Sequence, residues 1–182
     1  MIDSIRNLRR RTAAVTLAAA LLAAAIGSGA GETLAYVLLS SAAQEEVPDA
    51  VLGRVPDGTW HDPAYRPDAA AVPGLLVYRF SASLFFANAN VFRERIEARL
   101  ARDPAIKAVV VDCGAIHDVD LMACEMLAEL DRELETRGVR LAFGDLRDRV
   151  KRDILRGLEL GPHMADPTFS TVEDAARAMV AT

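Results

Sequence analysis

A long stretch near the amino terminus, residues 12–43, contains a single charged side chain, Glu32, and consists mostly of alanine, leucine and valine. Such a stretch favours an apolar environment, which for a segment of this length is typically a bilayer. As a helix, residues 12–31 would extend over about 30 Å, just enough to cross a bilayer core. We therefore divide the chain into a membrane-associated apolar segment, residues 1–46, and a globular domain, residues 47–182.

Three topologies fit the apolar segment. A secretory signal peptide typically has a basic amino-terminal region, an apolar run and small residues before the cleavage site, and residues 28–30 fit the last of these. Cleavage there would release the domain outside the cell. A single anchor would keep the arginines at 9–11 in the cytoplasm and place the domain outside. A helical hairpin that turns at the glycines of residues 27–31 would keep both arginines and domain in the cytoplasm. The segment by itself favours a signal or an anchor.

The globular part is acidic, since residues 45–182 carry 17 basic and 24 acidic side chains. This charge provides no electrostatic attraction to DNA or RNA, so we expect no nucleic-acid partner. No nucleophile and base stand at a spacing typical of a catalytic motif, so we expect no enzyme activity. Cys113 and Cys124 are expected to be buried thiols of a reducing compartment, with no metal site.

The periodicity of the apolar residues predicts alternating strands and helices. Strands are predicted over 75–80, 108–113 and 139–143, with a candidate edge strand at 51–54. Helices are predicted from Asn88 or Asn90 to Asp103, and over 120–137, 150–158 and 172–180. This order predicts an α/β fold with about four to five strands and about four helices, the helices mainly on one face of the sheet.

Several short motifs in the domain carry a family resemblance. They are Gly53-Arg54 with Pro56, His61-Asp62, Pro73-Gly74-Leu75, residues 84–89 (LFFANA), and Asp118-Val119-Asp120 followed by Ala123 and residues 126–130 (MLAEL). Together they cover residues 50–182 and resemble a STAS domain, in particular the cytoplasmic domain of SulP-type sulfate and other anion transporters. The resemblance implies a STAS-type sheet flanked by helices, and a regulatory or interaction role.

The resemblance also changes the preferred topology of residues 1–46. In SulP transporters a pair of short membrane helices precedes the STAS domain, and both outer ends of the pair face the cytoplasm. The resemblance therefore implies an apolar helical hairpin that holds the domain at the cytoplasmic side of the inner membrane. On this interpretation the chain is a carboxy-terminal transporter fragment that lacks the transport core. The implied partners are the membrane and a transporter membrane domain or another STAS domain.

The loop between the strand at 108–113 and the next helix is the candidate ligand or partner loop, because open α/β sheets bind ligands at the carboxyl ends of their strands. Its candidate residues are Cys113, Gly114, His117, Asp118, Asp120, Leu121 and Met122. The resemblance implies that a nucleotide, GTP, GDP or ATP, binds there, and no other cofactor is expected. The alternative is that Asp118 and Asp120 only cap the helix.

A candidate apolar groove for a partner or a nucleotide base is formed by Leu84, Phe85, Phe86 and Asn88. The alternative is that the apolar side chains pack at the strand–helix junction and that Asn88 caps the following helix.

The second functional hypothesis is a free-standing, membrane-anchored STAS adaptor in a partner-switching pathway. The related anti-sigma-factor antagonists carry an Asp-Ser pair at the start of this helix, and a partner kinase phosphorylates its serine. Here Asp120 is followed by Leu121 and Met122, which have no hydroxyl group. Phosphorylation at this position is therefore excluded.

Overall fold

The computed structural model describes residues 47–158 and 167–180, so the predicted hairpin at 1–46 lies outside the described residues. In chain order the elements are β1 (Asp49–Arg54), β2 (Trp60–His61), β3 (Leu75–Phe80), α1 (Ala89–Arg102), β4 (Ala108–Asp112), α2 (Leu121–Thr136), β5 (Arg140–Gly144), α3 (Asp148–Leu158) and α4 (Val172–Val180). Within this part of the chain, no helix combines the length and the hydropathy needed to cross a bilayer. The predicted α/β class is confirmed.

The five strands form one mixed sheet in the order β2-β1-β3-β4-β5. The strands β3, β4 and β5 are parallel, whereas β1 runs antiparallel to β2 and β3. Val77 of β3 lies beside Val110 of β4, which in turn lies beside Ala142 of β5. Because the three parallel strands end at one edge, the loops that follow them emerge together.

Helices cover both faces of this sheet. On one face, Val77, Val110 and Ala142 belong to a buried cluster with Val172 and Ala175 of α4. On the other, the rings of Tyr78 and Phe80 lie 5.7 and 5.5 Å from the ring of Phe92 in α1, α2 packs beside α1, and α3 packs beside α2. The expectation of one main helical face therefore holds for three of the described helices. The fourth helix, α4, covers the opposite face. Side chains alternate between the two faces along each strand, and in the central strands both faces are apolar, so both faces need a covering layer.

The helix α2 follows its predicted pattern closely. It begins after the N-cap Asp120, and its core stripe is buried, namely Ala123, Leu127, Leu130 and Leu134. Gly138 follows the helix end with φ 68°, the left-handed conformation that commonly ends a helix at a glycine. The observed strand bounds differ from the predicted ones by one residue at β4 and β5.

The contact between α4 and the antiparallel edge of the sheet centres on Glu173. Its carboxylate accepts hydrogen bonds from Nε and Nη2 of Arg54 at 3.1 and 2.6 Å, and from Nε1 of Trp60 at 3.0 Å. Arg177, one turn further along α4, donates from Nε at 3.0 Å. The hydrogen bond from Arg54 is the main reason why the pKa of Glu173 lies below its ordinary value.

Replacing Glu173 with glutamine should reduce the free energy of unfolding at neutral pH by about 1–2 kcal/mol, since it removes charge-assisted bonds to partly exposed arginines. The pKa of Glu173 is lower in the folded state, so this stabilisation is present above the unfolded value of 4.5 and is lost as pH falls through the folded value. Urea titrations from pH 7 downwards should show the difference between the two proteins shrinking in the acid range. A difference that stays constant into the acid range would contradict this assignment.

Candidate functional site

An ion pair between a buried carboxylate and a partly exposed guanidinium stands at the start of the candidate loop. Asp112, the last residue of β4, is 2% exposed, and its Oδ2 accepts a hydrogen bond from Nε of Arg79 at 2.8 Å and lies 2.6 Å from Nη2. The other oxygen, Oδ1, accepts a bond from the backbone N–H of Gly114 at 3.0 Å. Sequence reasoning missed this pair. The only sequence signal for the pair is that each charged residue lies at the end of an apolar run. The pairing itself comes from the sheet, in which β3 and β4 place the two residues side by side.

Gly114 passes between two carboxylates. A Cβ atom at this position would lie 2.5 Å from Oδ2 of Asp145 and 3.2 Å from Oδ1 of Asp112. The backbone of Asp145, just after β5, has φ 57°, a conformation that is uncommon for residues other than glycine. The loops after β4 and β5 therefore meet here, and carboxylates line the point where they meet.

Asp120 connects the segment after β3 to the start of α2. Its Oδ1 accepts a bond from the N–H of Ala123 at 2.8 Å, which caps α2, and its Oδ2 accepts one from the N–H of Phe86 at 2.9 Å. The backbones are joined as well, since the N–H of Leu84 donates to the carbonyl of Asp118 at 3.0 Å and the N–H of Asp120 donates to the carbonyl of Leu84 at 3.1 Å. Residues 84–86 and 118–120 therefore form one fixed unit.

Asp118 and His117 differ from Asp120 in being exposed. The Oδ1 atom of Asp118 lies 3.2 Å from the N–H of Val119 and 3.4 Å from Nη2 of Arg149, and it makes no bond to α2. The capping role that sequence reasoning gave to both carboxylates thus belongs to Asp120 alone.

Both cysteines lie inside the domain. Cys113 is 0% and Cys124 is 4% exposed, and the thiol of Cys124 donates to the carbonyl of Asp153 at 3.3 Å. Burial raises the pKa of both thiols, that of Cys124 to about 11. Cys113 therefore supports the loop from beneath instead of facing a ligand. Over the described residues, no group of three or more His, Cys, Asp or Glu side chains is placed to hold a metal ion.

Four large apolar side chains remain exposed around the fixed unit. Their exposed fractions are 42% for Phe85, 58% for Phe86, 67% for Leu121 and 57% for Met122. The rings of Phe85 and Phe86 lie 6.2 Å apart at an interplanar angle of 70°. We call these four residues the apolar patch. Sequence reasoning selected all four, but in two separate groups, and the structure brings the groups to one place.

The other two residues of the candidate groove lie beneath the patch. Leu84 and Asn88 are each 1% exposed. Asn88 occupies the N-cap position of α1, but its side chain makes no capping bond to the helix. Its side-chain amide bonds instead to the segment before the helix, accepting a bond from the N–H of Phe85 at 3.0 Å and donating one to the carbonyl of Ser83 at 2.9 Å. Its polar atoms are engaged by the backbone, so it fixes the conformation that exposes Phe85.

A groove of about 210 Å³ adjoins the patch between α1 and α2. It is lined by Phe86, Ala89, Asn90, Arg93, Met122, Glu125, Met126 and Glu129. Arg93 joins the two helices, because its Nη2 donates to both oxygens of Glu133 at 2.6 and 2.7 Å and its Nε donates to Glu97 at 2.9 Å. The apolar patch thus has a rigid base and a mainly acidic border.

A family model described as the STAS domain matches residues 66–175. A probable sulfate transporter of Mycobacterium tuberculosis is 37% identical over 136 residues, which are 71% of this chain and 24% of that protein. Sulfate transporter 3.1 of Arabidopsis thaliana is 26% identical over 140 residues, again 71% of this chain and 21% of the relative. The chain therefore spans a quarter or less of the length of these relatives.

Two solved structures share the fold. The murine Solute Carrier 26 family member A9 anion transporter, in its inward-facing state, superposes with a TM-score of 0.70 and 23% identity, covering 84% of this chain and 26% of that one. The STAS domain of a SulP transporter from Vibrio cholerae superposes with a TM-score of 0.50 and 17% identity, covering 65% of this chain and 90% of that domain.

Proposed function

This chain belongs to the STAS-domain family, and from that premise we propose that its domain is the cytoplasmic regulatory and interaction module of a sulfate or related anion transporter. Its curated relatives are named as sulfate transporters. In this proposal residues 1–46 are membrane-associated and residues 47–182 act at the cytoplasmic side of the membrane.

The apolar patch is the observation that carries the interaction role. Scattered single hydrophobic residues are normal on a protein surface, but two phenylalanines, a leucine and a methionine that are all exposed around one junction of two loops favour an interaction site. Asn88 and Asp120 hold the backbone of the patch in place from below. Because the backbone of the patch is already held in place, binding a partner would cost this domain little conformational entropy.

We assign the membrane domain of an anion transporter as the partner of the patch. The relatives contain far more chain than their STAS portion, so a STAS domain in this family works beside other transporter segments. The border of the patch carries Glu125, Glu129 and Arg93, so that carboxylates outnumber the guanidinium group there. A complementary partner surface would therefore be apolar at its centre and basic at its rim.

Photo-crosslinking in the native host tests this assignment. We expect the full chain with benzoylphenylalanine in place of Phe86 to crosslink to a membrane protein of the sulfate-transporter class, identified by mass spectrometry. The exchange Met122→Ser in the same protein should lower the yield about tenfold, because apolar anchors dominate such contacts. Met122 is exposed, so this exchange should leave the fold intact.

Tyr65 provides the matched control. It is an aromatic residue that is 84% exposed and lies outside the patch, so benzoylphenylalanine in its place should give no such crosslink. Equal crosslinking from positions 65 and 86 would show that the patch has no special role. A crosslink from position 86 to a serine kinase of the anti-sigma-factor class would instead favour the adaptor hypothesis.

Nucleotide binding at the loop, residues 113–122, stays an untested prediction. The loop carries Asp118 at its surface, and Asp145 of the loop after β5 lies beside Gly114. These groups repel phosphate oxygens unless a cation intervenes. We therefore place a protein partner ahead of a nucleotide as the ligand of this surface.

A further inference from the structure

A second cavity, of about 410 Å³, lies on the face of the sheet that α4 covers, opposite the apolar patch. Most of its wall is apolar, formed by Trp60, Val72, Leu75, Ala176 and Val180. Its volume lies within the range of about 300–1,000 Å³ that is usual for small-molecule sites, and an apolar wall with few polar groups is their usual lining.

We propose that this cavity binds a small amphipathic anion, an aliphatic or aromatic carboxylate, with its apolar part against Trp60 and its carboxylate at Arg177. This inference is independent of the docking role of the apolar patch.

The charges at the rim favour an anion. The cavity border carries two arginines, Arg54 and Arg177, and one carboxylate, Glu173. Both oxygens of Glu173 accept hydrogen bonds from these arginines or from Trp60. One positive charge therefore remains uncompensated at the rim, and it would attract a ligand carboxylate.

Arg177 is the residue placed to bind that carboxylate. Its side chain is 71% exposed, and Glu173 occupies only its Nε. Among the described residues, its two Nη groups have no other partner, so they can donate two parallel bonds to a carboxylate, the geometry that the guanidinium group favours.

Trp60 provides the apolar contact and also a probe. Its indole N–H already donates to Glu173, so its ring can contact an apolar ligand without leaving a buried donor unpaired. It is the chain's one tryptophan, so all tryptophan fluorescence comes from the cavity wall.

Titration of the full chain, in a mild detergent, with hexanoate tests the proposal. We expect a saturable change in Trp60 fluorescence, and a Kd for hexylamine at least about tenfold weaker because its charge is reversed. The exchange Arg177→Gln should weaken hexanoate binding about tenfold, as the loss of a charge-assisted bond predicts.

Two controls keep this outcome specific. Arg152→Gln removes an exposed arginine on α3, away from the cavity, and should bind hexanoate like the unaltered chain. Phe86→Ser alters the apolar patch and should also leave hexanoate binding unchanged, so the two proposals can fail separately. The inference is overturned if hexanoate gives no saturation at millimolar concentration, or if hexylamine or the Arg177→Gln protein gives the same curve.

Discussion

Replacing Asp112 with alanine should lower the free energy of unfolding by about 3 kcal/mol, which is at the low end for breaking a buried ion pair. The carboxylate is almost fully buried and binds both Arg79 and the N–H of Gly114. Its removal leaves that N–H without its acceptor and separates Arg79 from its counter-charge. The value stays at the low end because the Arg79 side chain is 40% exposed and can be hydrated again.

Urea unfolding of the full chain, followed through Trp60 fluorescence, measures this loss. Asp112→Asn is the matched variant, since its amide oxygen can still accept the bond from Gly114, and it should lose less than Asp112→Ala. A double-mutant cycle with Arg79→Gln should then give a coupling energy of about 1–2 kcal/mol. A coupling near zero would show that the pair does not hold the loop.

Local patterns were sufficient to predict most of the elements. The strand at 75–80 and the helix at 172–180 have the predicted bounds, because apolar runs and helical stripes record the burial of each element directly. The cap of α2 could also be predicted from the sequence, because an aspartate directly before an apolar stripe is a local signal.

Features that depend on pairing between distant segments could not be read in this way. The bond between Arg79 and Asp112 requires the register of β3 against β4. The apolar patch requires residues 85–86 and 121–122 to meet, which hydrogen bonds between two loops accomplish. The cavity beside Trp60 requires α4 to lie on the face opposite the other described helices, and no periodicity within α4 specifies which face it covers.

The patch and the cavity lie on opposite faces of the sheet, which favours a separate role for each face. The patch is built by the loop before α1 and by the first turn of α2, whereas the cavity is lined by α4 and by residues of β1, β2 and β3. A protein partner can therefore occupy one face while a small molecule occupies the other. Any coupling between the two would have to pass through the buried sheet.

The two loop aspartates should differ sharply when each is replaced by alanine. Asp120→Ala should cost about 3 kcal/mol, because it removes the cap of α2 and the acceptor for the N–H of Phe86. Asp118→Ala should cost less than about 0.5 kcal/mol, since its carboxylate is exposed and its contact with Arg149 is long.

The same pair of variants separates stability from docking. Asp120→Ala should also release residues 84–86, so the crosslink from position 86 should weaken even at temperatures where the domain stays folded. Asp118→Ala should keep that crosslink, because the backbone bonds at this position do not need its side chain. Urea unfolding and crosslinking yield measure the two effects. Equal losses from the two variants would mean that Asp120 is only another exposed carboxylate and does not order the patch.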